Sequence, residues 1–275
     1  MIRDFATPPS LRDRAQAWLD SGEPGPEPRG AATVVLVRSS PSGTPEVFLM
    51  HRQQTMAFAA GMVVFPGGGV DSRDGDDLDL RWSGPGPQQW ARQLGIPAGA
   101  AVELVCAAVR ETFEECGVLL ATALGTDDYP TVDEGDWESA RQRLLAREIA
   151  LSDLLTERGL VLRSDRLKPW AHWTTPEFEP RRYDTWFFLA ELPQRLTARH
   201  LGGEASRSEW CTALELLAQH ERGEVKLLPP TLVILEELAT APDLRALRAW
   251  ERNLAEVMPV PTMQDGQLVL RAEVP

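Results

Sequence analysis

The sequence is poor in the residues that mark several common classes of protein. Its 275 residues include three cysteines and four histidines. The cysteines, Cys106, Cys116 and Cys211, are odd in number and form no C-x-x-C pair. This argues against a disulfide framework or a zinc site and favours a reducing compartment. The histidines show no mutual spacing typical of metal ligands.

Positive charge and long apolar runs are also scarce. Lysine and arginine number 28 against 41 aspartates and glutamates, which gives a net charge of −13. We expect no nucleic-acid partner, because binding to a phosphate backbone needs clustered basic side chains. No stretch has the apolar length of a membrane span, and the N-terminus "MIRDFATPPS" has no signal-peptide core. We therefore expect a cytoplasmic protein with no membrane partner.

The sequence does have the composition of a globular protein, with 43% apolar and 25% charged residues. Residues 1–30 predict a short helix followed by a Pro/Gly-rich linker. Residues 31–275 predict a single domain with an insertion at about 71–99 and a helical C-terminal part at about 211–256. Strands and helices are interleaved without a regular βαβ repeat, which favours the α+β class and a mixed sheet between helices.

Three glutamates crowd into one turn of a predicted helix, within the stretch "AAVRETFEECGVLL" at residues 107–120. Glu111, Glu114 and Glu115 are three and four positions apart, so their side chains converge away from the apolar stripe. Like charges at these spacings cost about 0.2–0.5 kcal/mol per pair, and pairing of Arg110 with Glu114 offsets only part of this. One explanation is a solvated acidic face. The other is a hard cation such as Mg²⁺, which binds carboxylate oxygens and leaves room for water and phosphate.

Two neighbouring features favour the cation. Gly117 stands where a helix C-cap is expected, which fixes the end of the acidic turn. Upstream, a predicted strand ends in Gly67, Gly68 and Gly69, a pattern typical of close backbone approach. A tight turn is the alternative explanation for the glycines.

Residues 110–118, "RETFEECGV", resemble the second half of the Nudix hydrolase signature, R-E-U-x-E-E-x-G-U, in which U is usually aliphatic. Thr112 departs from the pattern at the first U. Gly68 resembles the glycine of the first half, but it lies about 28 residues further from the arginine than in the usual signature. The first glutamate of the signature would fall on Val102, and Glu103 lies one position away.

An interrupted signature of this kind resembles the coenzyme A diphosphatases of the peroxisomal mammalian type and their bacterial relatives. The segments "MAFAAGMVVFPGGGVD", "PWAHWTTPEFEPRRYDTWFFLA" and "SEWCTALELLAQHERGEVKLLPPTLVILEEL" carry the likeness, which covers roughly residues 31–240. The resemblance implies a Nudix-type α/β/α sandwich with a mixed sheet and extra C-terminal helices. It also implies hydrolysis of a pyrophosphate bond in a nucleoside diphosphate derivative. Coenzyme A or an acyl-CoA is the first candidate substrate, NADH or ADP-ribose the second, and a non-catalytic ligand-binding module is a third interpretation.

The resemblance assigns roles to individual residues. The positions that match metal ligands are Gly68, through its carbonyl, and Glu111, Glu114 and Glu115. Arg110 is expected to orient the glutamates by ion pairing. The general base is left open between Glu111 and Glu204, and a solvated loop acid is the alternative explanation for Glu204. The implied cofactor is Mg²⁺ or Mn²⁺.

Arg181 and Arg182 precede the strand "TWFFLAEL" and are candidate ligands of a substrate phosphate or of the 3′-phosphate of a CoA-like ligand. The alternative is a salt bridge to Asp184 or Glu179. The expected partner is a small nucleotide-containing molecule. A homodimer and the role of the Asp-rich insertion are left open.

Overall fold

The computed structural model describes residues 1–53, 61–75, 82–132, 135–192, 196–201 and 205–275. The strands are β1 (Ile2–Ala6), β2 (Arg29–Ser39), β3 (Pro45–Arg52), β4 (Met62–Val64), β5 (Gly67–Gly69), β6 (Trp82–Ser83), β7 (Ala121–Ala123), β8 (Leu160–Arg163), β9 (Leu167–Thr174), β10 (Tyr183–Glu191), β11 (Ala205–Thr212), β12 (Lys226–Leu227), β13 (Glu256–Val257), β14 (Val260–Gln264) and β15 (Gln267–Glu273). The helices are α1 (Pro9–Ser21), α2 (Pro87–Leu94), α3 (Ala98–Cys116), α4 (Gly135–Leu145), α5 (Leu151–Glu157), α6 (Ala213–Glu221), α7 (Pro229–Thr240) and α8 (Leu244–Ala249).

The central sheet is mixed and runs in the order β12-β4-β3-β2-β10-β9-β13. Its middle is the parallel pair β2 and β10, in register from Tyr183 opposite Arg29 to Glu191 opposite Val37. β5 pairs antiparallel with β2, and β11 pairs antiparallel with β3. β1, β15 and β14 form a separate sheet, as do β6, β8 and β7.

The central sheet has an apolar core on each face. Successive residues of a strand point to opposite faces, and β2 is apolar at both sets of positions. Val34 and Leu36 belong to a core built with α2, α3, α4 and α5. Val35 and Val37 belong to a second core built with α1, α6, α7 and α8. Helices therefore cover both faces, and the predicted α+β class and α/β/α sandwich are confirmed.

Several elements differ from the sequence-based prediction. The region 137–159 forms two helices, α4 and α5, with a turn at Arg147, where φ is 59°. The C-terminal part predicted as helical to about residue 256 has its last helix in α8, which ends at Ala249 and is followed by β13. The strands β1, β14 and β15 were not predicted, and the pairing of Ile2 with Glu273 joins the two ends of the chain.

The insertion contributes to the core of the domain. α2 lies within it, and Trp90 is 1% exposed in the core shared with α3. Asp76, Asp77 and Asp79 of the insertion lie outside the described residues. No single helix of the described ranges is long and apolar enough to cross a membrane. The helices α2 and α3, which meet at a bend of 94°, reach the length and apolar composition of a membrane span only when they are taken together.

Candidate active site

The acidic helix α3 packs one side on the sheet and turns its glutamates toward the glycine strand β5. Its apolar stripe, including Val109 and Phe113, is almost fully buried. The helix ends at Gly117, where φ is 68° and the N–H donates to the Phe113 carbonyl at 2.9 Å. Because the left-handed conformation favours glycine, Gly117 is the C-cap that the sequence predicted.

The glycines of β5 lie directly against this helix. A Cβ atom placed on Gly68 would be 2.5 Å from Oε1 of Glu111. A Cβ atom on Gly67 would be 2.5 Å from the Ala32 carbonyl oxygen of the neighbouring strand. A side chain at Gly67 would meet backbone atoms, and one at Gly68 would displace the Glu111 carboxylate, so the glycine run allows the close backbone approach that the sequence predicted.

Arg110 is the centre of a buried ionic network. It donates from Nε and Nη2 to the carboxylate of Asp74, at 2.8 and 2.9 Å. Its Nη1 donates to Glu111 at 2.7 Å and to Glu114 at 3.1 Å, and Nη2 also reaches the Gly69 carbonyl at 2.9 Å. The predicted pairing of Arg110 with Glu114 is therefore present. The arginine fixes the orientation of both glutamates, and its charge is shared among three carboxylates.

Asp74 is the member of this network that the sequence did not reveal. It lies in a 3₁₀ turn, Ser72–Gly75, within the insertion, and is 2% exposed. Its Oδ2 also accepts a hydrogen bond from the Asp71 N–H at 2.8 Å. Val102, at the position of the first glutamate of the signature, has no carboxylate. The insertion places the carboxylate of Asp74 against Arg110. The only signal in the sequence was the Asp-rich composition of the segment.

Glu115 and Glu114 face different environments. The Gly67 N–H donates to Oε2 of Glu115 at 2.8 Å, which ties β5 to the last turn of α3. Oε1 of Glu114 is buried and has no hydrogen-bond partner among the described residues. Burial, only partly opposed by Arg110, raises the pKa of Glu114 to about 7. Desolvation of the carboxylate outweighs the attraction of Arg110, whose contact with Glu114 is longer than its contacts with Asp74 and Glu111.

The donors around Arg110 fit a hard divalent cation. They are carboxylate oxygens, the ligands that Mg²⁺ prefers. Oε1 of Glu114 has no hydrogen-bond partner among the described residues, the Glu111 carboxylate lies against Gly68, and both residues line the cavity. Within the described ranges, no three acidic, histidine or cysteine side chains already form a metal cluster. Arg110 forms ion pairs with two of the predicted ligands, Glu111 and Glu114.

The three glutamates line a cavity of about 460 Å³. Among the described residues, four arginines line it as well: Arg29, Arg73, Arg110 and Arg147. The cavity therefore combines an acidic wall with basic side chains, in a chain whose net charge is −13.

The family model for the NUDT19 Nudix domain matches residues 87–238, more than half of the chain. The chain belongs to this Nudix family. It is a Nudix pyrophosphohydrolase, and the predicted family and enzyme class are confirmed. Nudix hydrolases generally use divalent metal ions, in agreement with the donor set around Arg110.

Named relatives and solved structures agree with this assignment. The acyl-coenzyme A diphosphatase NUDT19 of Gallus gallus is 26% identical, with 89% of this chain and 72% of that protein covered. The NUDT19 protein of Xenopus laevis is 24% identical, with 70% of this chain and 59% of that protein covered. The crystal structure of a NUDIX hydrolase from Alicyclobacillus acidocaldarius is 28% identical and superposes with a TM-score of 0.71, covering 82% of this chain and 97% of that one.

A histidine that the sequence did not single out also lines the Nudix cavity. Both ring nitrogens of His200 are buried and have no hydrogen-bond partner among the described residues. Its segment is held to the end of α3, because Arg199 donates its N–H to the Cys116 carbonyl at 3.1 Å and Leu201 donates to the Glu115 carbonyl at 2.9 Å. A lone histidine gives no pattern in a sequence, so only the fold reveals this placement.

The predicted substrate-binding pair, Arg181 and Arg182, does not line the cavity. Arg182 is 8% exposed and donates to the carbonyls of Thr175 and Pro26, at 3.0 and 2.8 Å, and to the sulfur of Met258 at 3.2 Å. Its guanidinium is therefore used to hold the chain together, which corrects the predicted phosphate contact. Arg181 is exposed. The alternative general base, Glu204, lies outside the described residues.

The alternative salt bridges are also replaced by other contacts. The ring of His172 donates a hydrogen bond to the Asp184 carboxylate, and Glu179 pairs with Arg14 at 3.1 Å. The three cysteines are free and buried, as expected for a chain without disulfides.

Proposed function

We propose that this Nudix hydrolase cleaves the pyrophosphate bond of coenzyme A or an acyl-CoA and releases 3′,5′-ADP and a 4′-phosphopantetheine fragment. The observation that carries the chemistry is the convergence of Glu111, Glu114 and Glu115 with the glycine strand β5 at one cavity. The substrate is supported by the relatives named acyl-coenzyme A diphosphatase. NADH and ADP-ribose are the alternative substrates to be excluded by experiment.

The residues that would hold the cation are Glu111, Glu114, Glu115 and the carbonyl of Gly68. Mg²⁺ or Mn²⁺ bound there would neutralise the diphosphate charge and make a bound water more acidic. Phosphoryl transfer asks mainly for positioning and electrostatic stabilisation, which a carboxylate site of this kind supplies.

The residues of the chain itself have distinct tasks in this proposal. Arg110, fixed by Asp74, positions the carboxylates of Glu111 and Glu114. The Gly67 N–H positions Glu115. Glu111 is the proposed proton acceptor because it lies on the cavity side of the network, and Glu204 remains the alternative. The polar ring of His200 adds a hydrogen-bonding group beside this wall.

The cation, the cellular location and the partner of the protein are proposed from its ligand atoms, thiols and charge. We propose Mg²⁺ or Mn²⁺ because all the assigned ligands are oxygens. A cytoplasmic location is supported by three free, buried thiols. The partner is a small nucleotide-containing molecule and neither nucleic acid nor membrane, in keeping with the net charge of −13. A homodimer remains open.

The test is a substrate panel of CoA, acyl-CoAs, NADH, ADP-ribose and 8-oxo-dGTP, each with Mg²⁺ or Mn²⁺ and with products separated chromatographically. Release of 4′-phosphopantetheine from CoA, with the other compounds hydrolysed slowly or not at all, is the expected result. Preference for ADP-ribose or NADH would overturn the CoA assignment and leave the pyrophosphohydrolase chemistry in place.

A further inference from the structure

Arg29, Arg73 and Arg147 line the same cavity as the glutamates and are called the basic edge here, and two of them, Arg73 and Arg147, pair with Asp71. Arg73 donates from Nε and Nη2 to the two carboxylate oxygens of Asp71, both at 2.9 Å. Arg147 lies with its Nε 3.5 Å from Oδ2 of Asp71. The edge is thus contributed by three distant parts of the chain.

The sheet brings Arg29 to this place. β5 pairs antiparallel with β2, with Ala31 opposite Gly69, and the Val70 N–H donates to the Gly30 carbonyl at 2.9 Å. Arg29 directly precedes Gly30 and Asp71 directly follows Val70, and both residues line the cavity. The Arg29 side chain is exposed and forms no hydrogen bond or ion pair with the residues that the structure describes.

The basic edge carries more positive charge than it neutralises. Hydrogen bonds from Arg73 hold the pKa of Asp71 well below its usual range, so Asp71 is ionised at neutral pH. Two guanidinium groups, those of Arg73 and Arg147, therefore lie beside one carboxylate, and Arg29 adds a third positive charge to the lining of the same cavity. Arg73 uses its donors on Asp71 and on the Arg147 carbonyl, so the surplus is presented chiefly by Arg29 and Arg147.

Arg147 is held in an unfavourable backbone conformation. Its φ of 59° lies in the left-handed region, which is unfavourable for a residue other than glycine. The Arg73 guanidinium donates to the Arg147 carbonyl at 2.6 Å and so fixes this turn to the insertion. The Arg147 side chain is 78% exposed and lines the cavity. A strained residue that presents a cation to a cavity is a candidate ligand contact.

We propose that the basic edge is a subsite for a phosphomonoester that the substrate carries in addition to its diphosphate. The subsite rests on the proposed function and specifies its substrate class. Arginine suits it because a guanidinium binds phosphate through two parallel hydrogen bonds. CoA has such a phosphate on its ribose, whereas NADH and ADP-ribose have none. The basic edge therefore replaces the pair Arg181 and Arg182 as the phosphate-recognising element.

The decisive comparison is between CoA and 3′-dephospho-CoA, which differ only in this phosphate. We expect the unmodified protein to prefer CoA by about tenfold or more in kcat/KM, chiefly through KM, as for loss of hydrogen bonds to a charged group. Arg29→Gln and Arg147→Gln should each move the ratio of the two kcat/KM values toward one. The matched control is Arg143→Gln. Arg143 lies in α4, the helix just before Arg147, but it pairs with Glu157 and does not line the cavity, so this variant should keep the full preference for CoA.

A binding measurement separates failure of the subsite from failure of the proposed function. Calorimetry should show 3′,5′-ADP binding about tenfold more tightly than 5′-AMP, a difference that Arg29→Gln and Arg147→Gln reduce. If neither CoA nor dephospho-CoA is hydrolysed, the proposed function fails, and this titration still tests the subsite. Equal affinity for the two nucleotides, or a CoA preference that both arginine variants keep, would overturn the subsite while CoA hydrolysis stands.

Discussion

Two buried arginines, Arg110 and Arg182, hold two regions of the molecule together in different ways. Each is 8% exposed. Arg110 lies among Asp74, Glu111 and Glu114 and borders the cavity. Arg182 is held by two backbone carbonyls and a thioether, with no carboxylate among its described contacts.

The difference lies in what each partner set leaves available. The carbonyls around Arg182 come from the linker near Pro26 and from Thr175, so this arginine joins segments far apart in sequence. Two of the carboxylates around Arg110, Glu111 and Glu114, line the cavity, and Oε1 of Glu114 has no hydrogen-bond partner among the described residues. Arg110 therefore orients side chains that border the cavity, whereas Arg182 joins segments of the chain away from it.

The largest expected effect is on the carboxylate wall. Glu115→Gln should reduce turnover by about a thousandfold, equivalent to about 4 kcal/mol of transition-state stabilisation, because it removes a ligand charge from the metal site. The amide oxygen can still accept from the Gly67 N–H, so the fold should survive. Steady-state kinetics with CoA and circular dichroism measure both. Glu221→Gln, at an exposed position on α6, is the control, and full activity in Glu115→Gln would refute the assignment.

Asp74→Asn should lower the free energy of unfolding of the protein as well as its turnover rate. Removing one carboxylate from a buried charged network costs about 3 kcal/mol, since Arg110 is left less well compensated. Urea unfolding of the metal-free protein measures the free energy of unfolding. Asp13→Asn, at an exposed position of α1, is a matched control that should stay within about 0.5 kcal/mol of the unmodified protein. A similar small change for Asp74→Asn would show that the network contributes little.

Metal-free stability should also depend on pH through Glu114. Its pKa rises from an ordinary 4.5 to about 7 on folding, so the folded state binds more protons between these values. Its contribution to stability is therefore present at low pH and is lost as pH rises through this window. Relative to Glu114→Gln, the unmodified protein should lose about 2 kcal/mol between pH 5 and pH 7. Parallel pH profiles of the two proteins would contradict the assignment.

The smallest effect is expected at the second arginine. Arg182→Gln removes hydrogen bonds to the carbonyls of Thr175 and Pro26, which should cost about 1–2 kcal/mol of unfolding free energy. Since Arg182 does not line the cavity, kcat and KM for CoA should remain unchanged at temperatures where the variant is folded. A raised KM without loss of stability would restore the substrate role that the sequence suggested.

The sequence was informative where the relevant contacts are local. The spacing of Glu111, Glu114 and Glu115 predicts their convergence because helix geometry alone decides it. The same holds for Gly117 as a helix cap. Gly68 was found through its signature and through the close approach that a glycine run indicates.

Local sequence patterns of this kind do not indicate contacts between residues far apart in the chain. Asp74 lies 36 residues from Arg110 in a segment with no periodic signal, and only packing of the insertion on α3 joins them. The pairing of β1 with β15 spans almost the whole chain, so neither strand has a local partner to indicate it. Arg182 was misassigned because a sequence does not show whether a cation meets a ligand or a carbonyl.

Calorimetric titration of Mn²⁺ into the metal-free protein tests the central claim most directly, because it needs no substrate. The carboxylate wall predicts binding to the unmodified protein, at least about tenfold weaker binding to Glu115→Gln, and unchanged binding to Arg182→Gln. Equal Mn²⁺ affinity in the unmodified protein and in Glu115→Gln would contradict the account.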